Sequence, residues 1–366
     1  MRTKREAYRG CFLGLAVGDA MGYSVDSRTW PEIQEDYGPN GLLGYDLVNG
    51  YAEVTSHTQI ALFAANGLLL GLTRGQVLGK MAPYVRYVGL ALQEWAMGQH
   101  RYSQPNNNKC WTFRVPELRR RHCTDTRIIE TLNRNQLGNL QDSYNKHDTP
   151  ATISAAIVAG LFANPDRMEN TEIAMLGAES IALTHGNPVA FLPGAMIAEL
   201  ISRCVYHPDQ PLTELVEATL RSFEERFGRD YAQAAECAAL VRKALALTKK
   251  ADVLPQQAME MLKCDTPASV LAGAVYAAQI CHADFDNAMV VAVNHSGASA
   301  AVGCLTGAIL GTRMGDEGLP EFYMDGLEIR DVLEEMADDL LQGCPMTREN
   351  KLFDADWDQK YLHGEH

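Results

Sequence analysis

Gly14-Leu15-Ala16-Val17-Gly18-Asp19-Ala20-Met21-Gly22 is an apolar run with a glycine at every fourth position and a single acid inside it. At 3.6 residues per turn, Gly14, Gly18 and Gly22 fall on one helix face, and a face without side chains lets another helix come close. Gly303, Gly307 and Gly311 repeat the spacing near the other end of the chain. Each stripe predicts tight helix packing in an interior. Outward from the first stripe the periodicity stays helical. It predicts helices over 6–22, 58–72, 75–98 (interrupted or started by Pro83), 151–163, 171–184 and 188–204, the last with Pro188 in its first turn. Further helices are expected over 211–226, 230–249, 267–283, 285–293, 297–313 and 327–342. Alternating β-branched runs are nearly absent, so the expected fold is a compact all-α bundle in one domain, 1–366.

Two stretches resist this pattern. Residues 23–57 hold Pro31, Gly38-Pro39-Asn40-Gly41 and Asn49-Gly50; residues 99–150 hold Pro105-Asn106-Asn107-Asn108 and a polar run from Asn133 to Pro150. Long irregular segments in a helical domain commonly carry function. Composition narrows what that function is. The 366 residues are 46% hydrophobic and 21% charged, with a formal net charge of −14. An acidic chain repels phosphate backbones, and the densest basic run, Arg119-Arg120-Arg121-His122, is too short to reverse that; nucleic acid is not an expected partner. Arg114, Arg119 and Arg121 read as solvated surface, and Trp95, Trp111 and Trp357 as core or rim aromatics. The nine cysteines show no C-x-x-C pair, and most sit among apolar residues, the pattern of reduced thiols packed as small hydrophobes. Basic Met1 to Arg5 before a short apolar run imitates a signal peptide without a convincing cleavage site, and no later stretch gives 18 apolar residues in a row. A cytoplasmic protein, without a membrane partner and with a possible homo-oligomeric state, is expected.

Polar clusters interrupt the apolar helices at Thr55-Ser56-His57-Thr58-Gln59 and at Asn294-His295-Ser296-Gly297-Ala298-Ser299. Each has a plain local reading. Thr55 or Ser56 suits a helix N-cap, and the second cluster suits an inter-helix turn. Their surroundings add more. The run 14–22 resembles the opening signature of the ADP-ribosylglycohydrolase family, which includes the dinitrogenase-reductase-activating glycohydrolase, the ADP-ribosyl-arginine and ADP-ribosyl-serine hydrolases and the J1 crystallins. Gly38 to Tyr45 and Thr55-x-x-Thr58-Gln59 are similar to the stretch leading into that family's Thr-Asp-Asp-Thr-Gln metal motif. Thr184-His185 matches a mid-chain feature. Val293-Asn294 and the Gly303, Gly307, Gly311 series match the frame of its C-terminal Gly-Gly-Asp-x-Asp-Thr motif. The resemblance covers about residues 6–315, leaving a C-terminal helix and tail over 316–366, and implies an orthogonal all-α bundle with a ligand of the ADP-ribose, nucleotide or ribosyl type.

Departures from the family pattern shape the functional expectation. The family holds two divalent cations, usually magnesium, on carboxylates of both motifs. Ser56 and His57 stand here in place of the first pair, and Ala298, Ser299, Ala300 and Ala301 in place of the second. Magnesium needs oxygen ligands, several of them anionic, so the family cofactor is expected to be lost and no metal ligand is assigned. The family's phosphate-contacting glycines are also missing from 147–157. Asp19 is retained, and Asp26 aligns with the family's mobile-loop glutamate. The first expectation is therefore a metal-free member, inactive in magnesium-dependent hydrolysis, that binds or regulates. The substrate side would use Thr55, Ser56, Thr184, His185, Asn294, Ser296 and Ser299. The second is a metal-independent hydrolase of ribosyl bonds in which Asp26, Asp19 and His57 do the acid/base work. A structural oligomer is the third.

Overall fold

The first helix, α1 (Lys4–Tyr23), starts where Thr3 and Glu6 cap each other. The Thr3 hydroxyl accepts from the Glu6 amide, and the Glu6 carboxylate accepts from the Thr3 N–H at 2.9 Å. The computed structural model describes residues 2–79, 82–100, 107–122, 125–164, 168–348 and 352–365. Pro105, Asn106, Cys123 and Glu349 lie outside the described residues. Helices follow in the order α2 (Trp30–Tyr37), α3 (Ser56–Leu78), α4 (Tyr84–Gly98), α5 (Thr126–Asn133), α6 (Ser154–Phe162), α7 (Asn170–Ala182) and α8 (Pro188–Tyr206). The second half adds α9 (Leu212–Phe227), α10 (Ala234–Leu247), α11 (Pro255–Leu262), α12 (Pro267–Ile280), α13 (Phe285–Val293), α14 (Ser299–Met314), α15 (Glu321–Gly326), α16 (Arg330–Gln342) and α17 (Ala355–Asp358). Among the described residues there is no strand, only the isolated bridges Val48 to Tyr51 and Ala52 to Leu327. The all-α expectation holds.

The two glycine stripes turn out to face each other. A Cβ on Gly18 would lie 1.9 Å from the carbonyl oxygen of Gly303, and one on Gly14 would lie 2.2 Å from that of Gly307. Only hydrogen at these positions lets α1 and α14 touch backbone to backbone. One buried apolar cluster surrounds this seam, with members from Ala7 near one terminus to Tyr361 near the other. α3 and α8 are apolar and long enough to cross a membrane by composition, yet 78% and 83% of their most apolar windows are buried among the other helices. Both are core helices of this fold.

Several boundaries differ from the sequence reading for local reasons. The helix expected over 75–98 is two: α3 ends at Gly79, whose φ of 64° is left-handed, and α4 begins after Pro83. The supposedly irregular 23–57 contains α2, started by the mutual cap of Thr29 and Glu32 with Pro31 in its first turn. That proline opens a helix instead of breaking one. The tail packs on the body. Trp357 donates from Nε1 to the Thr73 hydroxyl at 2.9 Å, Tyr361 donates to Asp339 at 2.5 Å, and Lys360 pairs with Glu335 and Asp339. Trp95 and Trp111 are fully buried, in line with their reading as core.

Candidate functional site

Six segments converge on one cleft of about 700 Å³: the turn after α1, the start of α3, the start of α5, the loop before α6, the link from α11 to α12 and the connection from α13 to α14. Behind the wall of the cleft lies Asp19. Its carboxylate is fully buried and accepts four hydrogen bonds, from Thr55 N (2.9 Å), Thr55 Oγ1 (2.5 Å), Thr58 N (3.1 Å) and Thr58 Oγ1 (2.6 Å). The first turn of a helix leaves amides without partners and carries partial positive charge, so a carboxylate there is both solvated and favoured. Asp19 thus ties α1 to the N-terminus of α3, with Thr55 as N-cap.

Asp26 follows one turn beyond α1 and does line the cleft. It accepts from Ala300 N in the first turn of α14 at 3.0 Å and from the Ser27 hydroxyl at 3.3 Å. Burial pushes its carboxyl pKa up, and the Ala300 amide, the nearby His57 and Ser27 pull part of that back. His57 lines the same cleft at 8% exposure, and its Nδ1 is buried without a hydrogen-bond partner. Ser296 completes this side by accepting from Trp30 N at 2.8 Å. The turn that carries Asp26 is held by Ser27, whose φ of 61° is left-handed and whose N–H donates to Gly297 at 3.0 Å.

The opposite wall is a relay. Asp125 caps α5 by accepting from Arg127 N, binds the Arg127 guanidinium through Nε (2.9 Å) and Nη2 (2.7 Å), and accepts from Thr149 Oγ1 at 2.9 Å. Burial pushes the Asp125 carboxyl up, but the Arg127 and Thr149 hydrogen bonds outweigh it and hold the pKa at about 2. An ionised Asp125 has no proton to give, so the Thr149 hydroxyl donates to it. That same oxygen then accepts from His185 Nε2, 3.0 Å away. Nδ1 of His185 is left as acceptor toward Thr184 (2.9 Å) and Thr152 (3.1 Å). Burial pushes the His185 pKa down to about 3, which keeps the ring neutral in this arrangement.

Of the residues expected to act, Asp26, His57 and Ser296 meet at the cleft. The structure corrects the placement of Asp19: both of its oxygens are engaged behind the wall, and it does not line the cleft. Thr55, Ser56, Thr184, His185, Asn294 and Ser299 are also buried away from the lining. Asn294 clamps the loop after α2, accepting from Leu42 N and donating to Leu42 O, both at 2.8 Å; Ser299 Oγ faces the His295 carbonyl at 3.5 Å. Arg28, Asp125, Arg127, Thr149 and Asp265 line the cleft without having been singled out. Asp125 had a usable signal, since Asp before a helical run is a common N-cap. Nothing local marked the others.

The residues present do not suit the family's two magnesium ions. Where that pattern places carboxylates, this chain has the Ser56 hydroxyl, the His57 ring, Ala298 and Ala300, and the nearby acid Asp19 is saturated by four donors. Among the described residues no group of three or more His, Cys, Asp or Glu side chains is placed to hold a metal.

With this geometry in hand, comparison with known proteins is specific. The ADP-ribosylglycohydrolase family model matches residues 1–350, a longer span than the motifs alone suggested. Among solved structures, one described as an ADP-ribosylglycohydrolase-related protein complex superposes with a TM-score of 0.52 at 20% identity, covering 93% of this chain and 99% of that one. At that identity the likeness speaks for the fold. No curated protein matches the sequence significantly.

Proposed function

The chain belongs to the ADP-ribosylglycohydrolase family, and from that premise we propose that it is a member which binds a small ribosyl ligand without metal and does not carry out magnesium-dependent ADP-ribosyl hydrolysis. The observation that supports this reading is the pair of motif sites themselves. Where the family's metal carboxylates are expected, Ser56, His57, Ala298 and Ala300 offer no anionic oxygen, and the nearby Asp19 carboxylate is taken up by Thr55 and Thr58. In the family the metals hold the ribose hydroxyls and the attacking water, so their loss removes that route to hydrolysis. The cleft itself persists, with Asp26 and His57 in it. Among the described residues eight cysteines are free, seven of them buried, which supports a reducing compartment such as the cytoplasm.

Thermal-shift titrations with ADP-ribose and with D-ribose, each in magnesium and in EDTA, test it. Ligand at 100 times its dissociation constant adds about 2.7 kcal/mol of stability. A shift that survives EDTA supports the reading; one that needs magnesium overturns it. A second reading draws on Asp26. A carboxyl whose pKa burial raises, beside an imidazole, is a pair suited to metal-independent cleavage of an N- or O-ribosyl bond. Asp19, committed to α3, has no part in it. Release of free ribose from a ribosyl compound in EDTA, abolished in Asp26→Asn, is the expected signature of that activity.

A further inference from the structure

Given that the cleft is a ribosyl-binding site, we infer that its ligand is an uncharged sugar with adjacent hydroxyls, held by Asp26 and His57, and that neither a phosphate nor a base contributes to binding. A phosphate in a protein is held by unpaired cations, by free amides at helix N-termini, or by glycine-rich loops. Each of these is already used up. The helix N-termini at the cleft carry the protein's own anions: Glu32 on Thr29 N at α2, Asp19 at α3, Asp125 at α5, and Asp26 on Ala300 N in the first turn of α14. The cations among the described lining residues are Arg28 and Arg127, and they are paired, with Asp36 and Asp125 respectively. The cleft also presents Asp265, so an entering phosphate meets three carboxylates and no unpaired guanidinium.

The lining offers a base equally little. Among the described lining residues there is no Phe, Tyr or Trp on which a purine could stack. What remains suits hydroxyl groups. A carboxylate oxygen accepts more than one hydrogen bond, and Asp26 has taken one donor on each oxygen, leaving lone pairs for two sugar hydroxyls. His57, nine-tenths buried with an unpartnered nitrogen, is the complementary group: its ring donates from one nitrogen and accepts at the other.

The test uses the full-length protein in EDTA, comparing melting-temperature shifts with methyl riboside, ribose 5-phosphate, adenosine and ADP-ribose. Methyl riboside is expected to bind, ribose 5-phosphate to need at least about tenfold higher concentration for the same shift, and adenosine to match methyl riboside. In Asp26→Asn the methyl riboside titration is expected to weaken by about tenfold or more. Because Asp26→Asn also alters the contact with Ala300 N, His57→Gln is the second variant, with the same expectation. Ribose 5-phosphate or ADP-ribose binding more tightly than methyl riboside overturns the inference and leaves the ribosyl-site reading standing. No shift with any of the four overturns both. Unchanged methyl riboside binding in both variants overturns the assignment to Asp26 and His57.

Discussion

Asp19 is a buried carboxylate whose four hydrogen bonds join α1 to the start of α3. Asn at this position would turn an NH2 toward two hydroxyls and two amides that now donate to a carboxylate. Asp19→Asn is expected to cost about 3 kcal/mol in urea unfolding, since a buried charged acceptor with several donors is replaced by a mismatched amide. Two buried histidines make a second residue-scale prediction. Burial pushes His185 down to about 3 and His295 to about 4, whereas an unfolded histidine titrates near 6.5. Between those values the unfolded chain binds protons that the folded one refuses, so this contribution to stability is complete above about pH 6.5 and is lost as pH falls. Each ring then removes about 2 kcal/mol by pH 5. In an NMR titration their ring signals should stay flat from about pH 7 to 5; a midpoint near the ordinary histidine value would refute the neutral relay. Asp26, His57 and Ser296 were legible because they align with, or stand beside, motif positions. Thr149 and Arg127 were not, since their roles depend on Asp125, which only the fold brings to the cleft.

At the scale of elements, the seam between α1 and α14 was half legible. The spacing of Gly14, Gly18, Gly303 and Gly307 announced close packing, but not which helix would meet which. Gly18→Ala or Gly303→Ala places a methyl group 1.9 or 2.2 Å from a backbone oxygen, and neither helix has a side chain there that can yield. Either change should cost about 3 kcal/mol or more, read as a lower urea midpoint. Gly44 is the internal control, because a Cβ there meets nothing within 4 Å; Gly44→Ala should stay within about 0.5 kcal/mol of the parent. The short helices were harder to see. α2 carries its start signals in Thr29, Pro31 and Glu32, yet with only eight residues its apolar face reduces to the buried Ile33, too little for periodicity to reveal.

For the whole molecule, the all-α class followed from the near absence of alternating patterns, and the tail's hold on the body was legible in Trp357 as a core or rim aromatic, though not in where it would dock. Residues 355–363 look polar in sequence, and their hold depends on Trp357 and Tyr361 finding Thr73 and Asp339 far away in the chain. Trp357→Ala should destabilise by about 3–5 kcal/mol, checked by the loss in melting temperature. The pairing of α1 with α14 also sets a clock. α1 leaves the ribosome nearly 300 residues before α14, the helix that covers its bare glycine face. At roughly 5–20 residues per second, that face waits on the order of 15–60 s for its partner. Throughout that interval the nascent chain carries an uncovered apolar helix, so its yield in a cell should depend on chaperones that shield it until synthesis has passed α14.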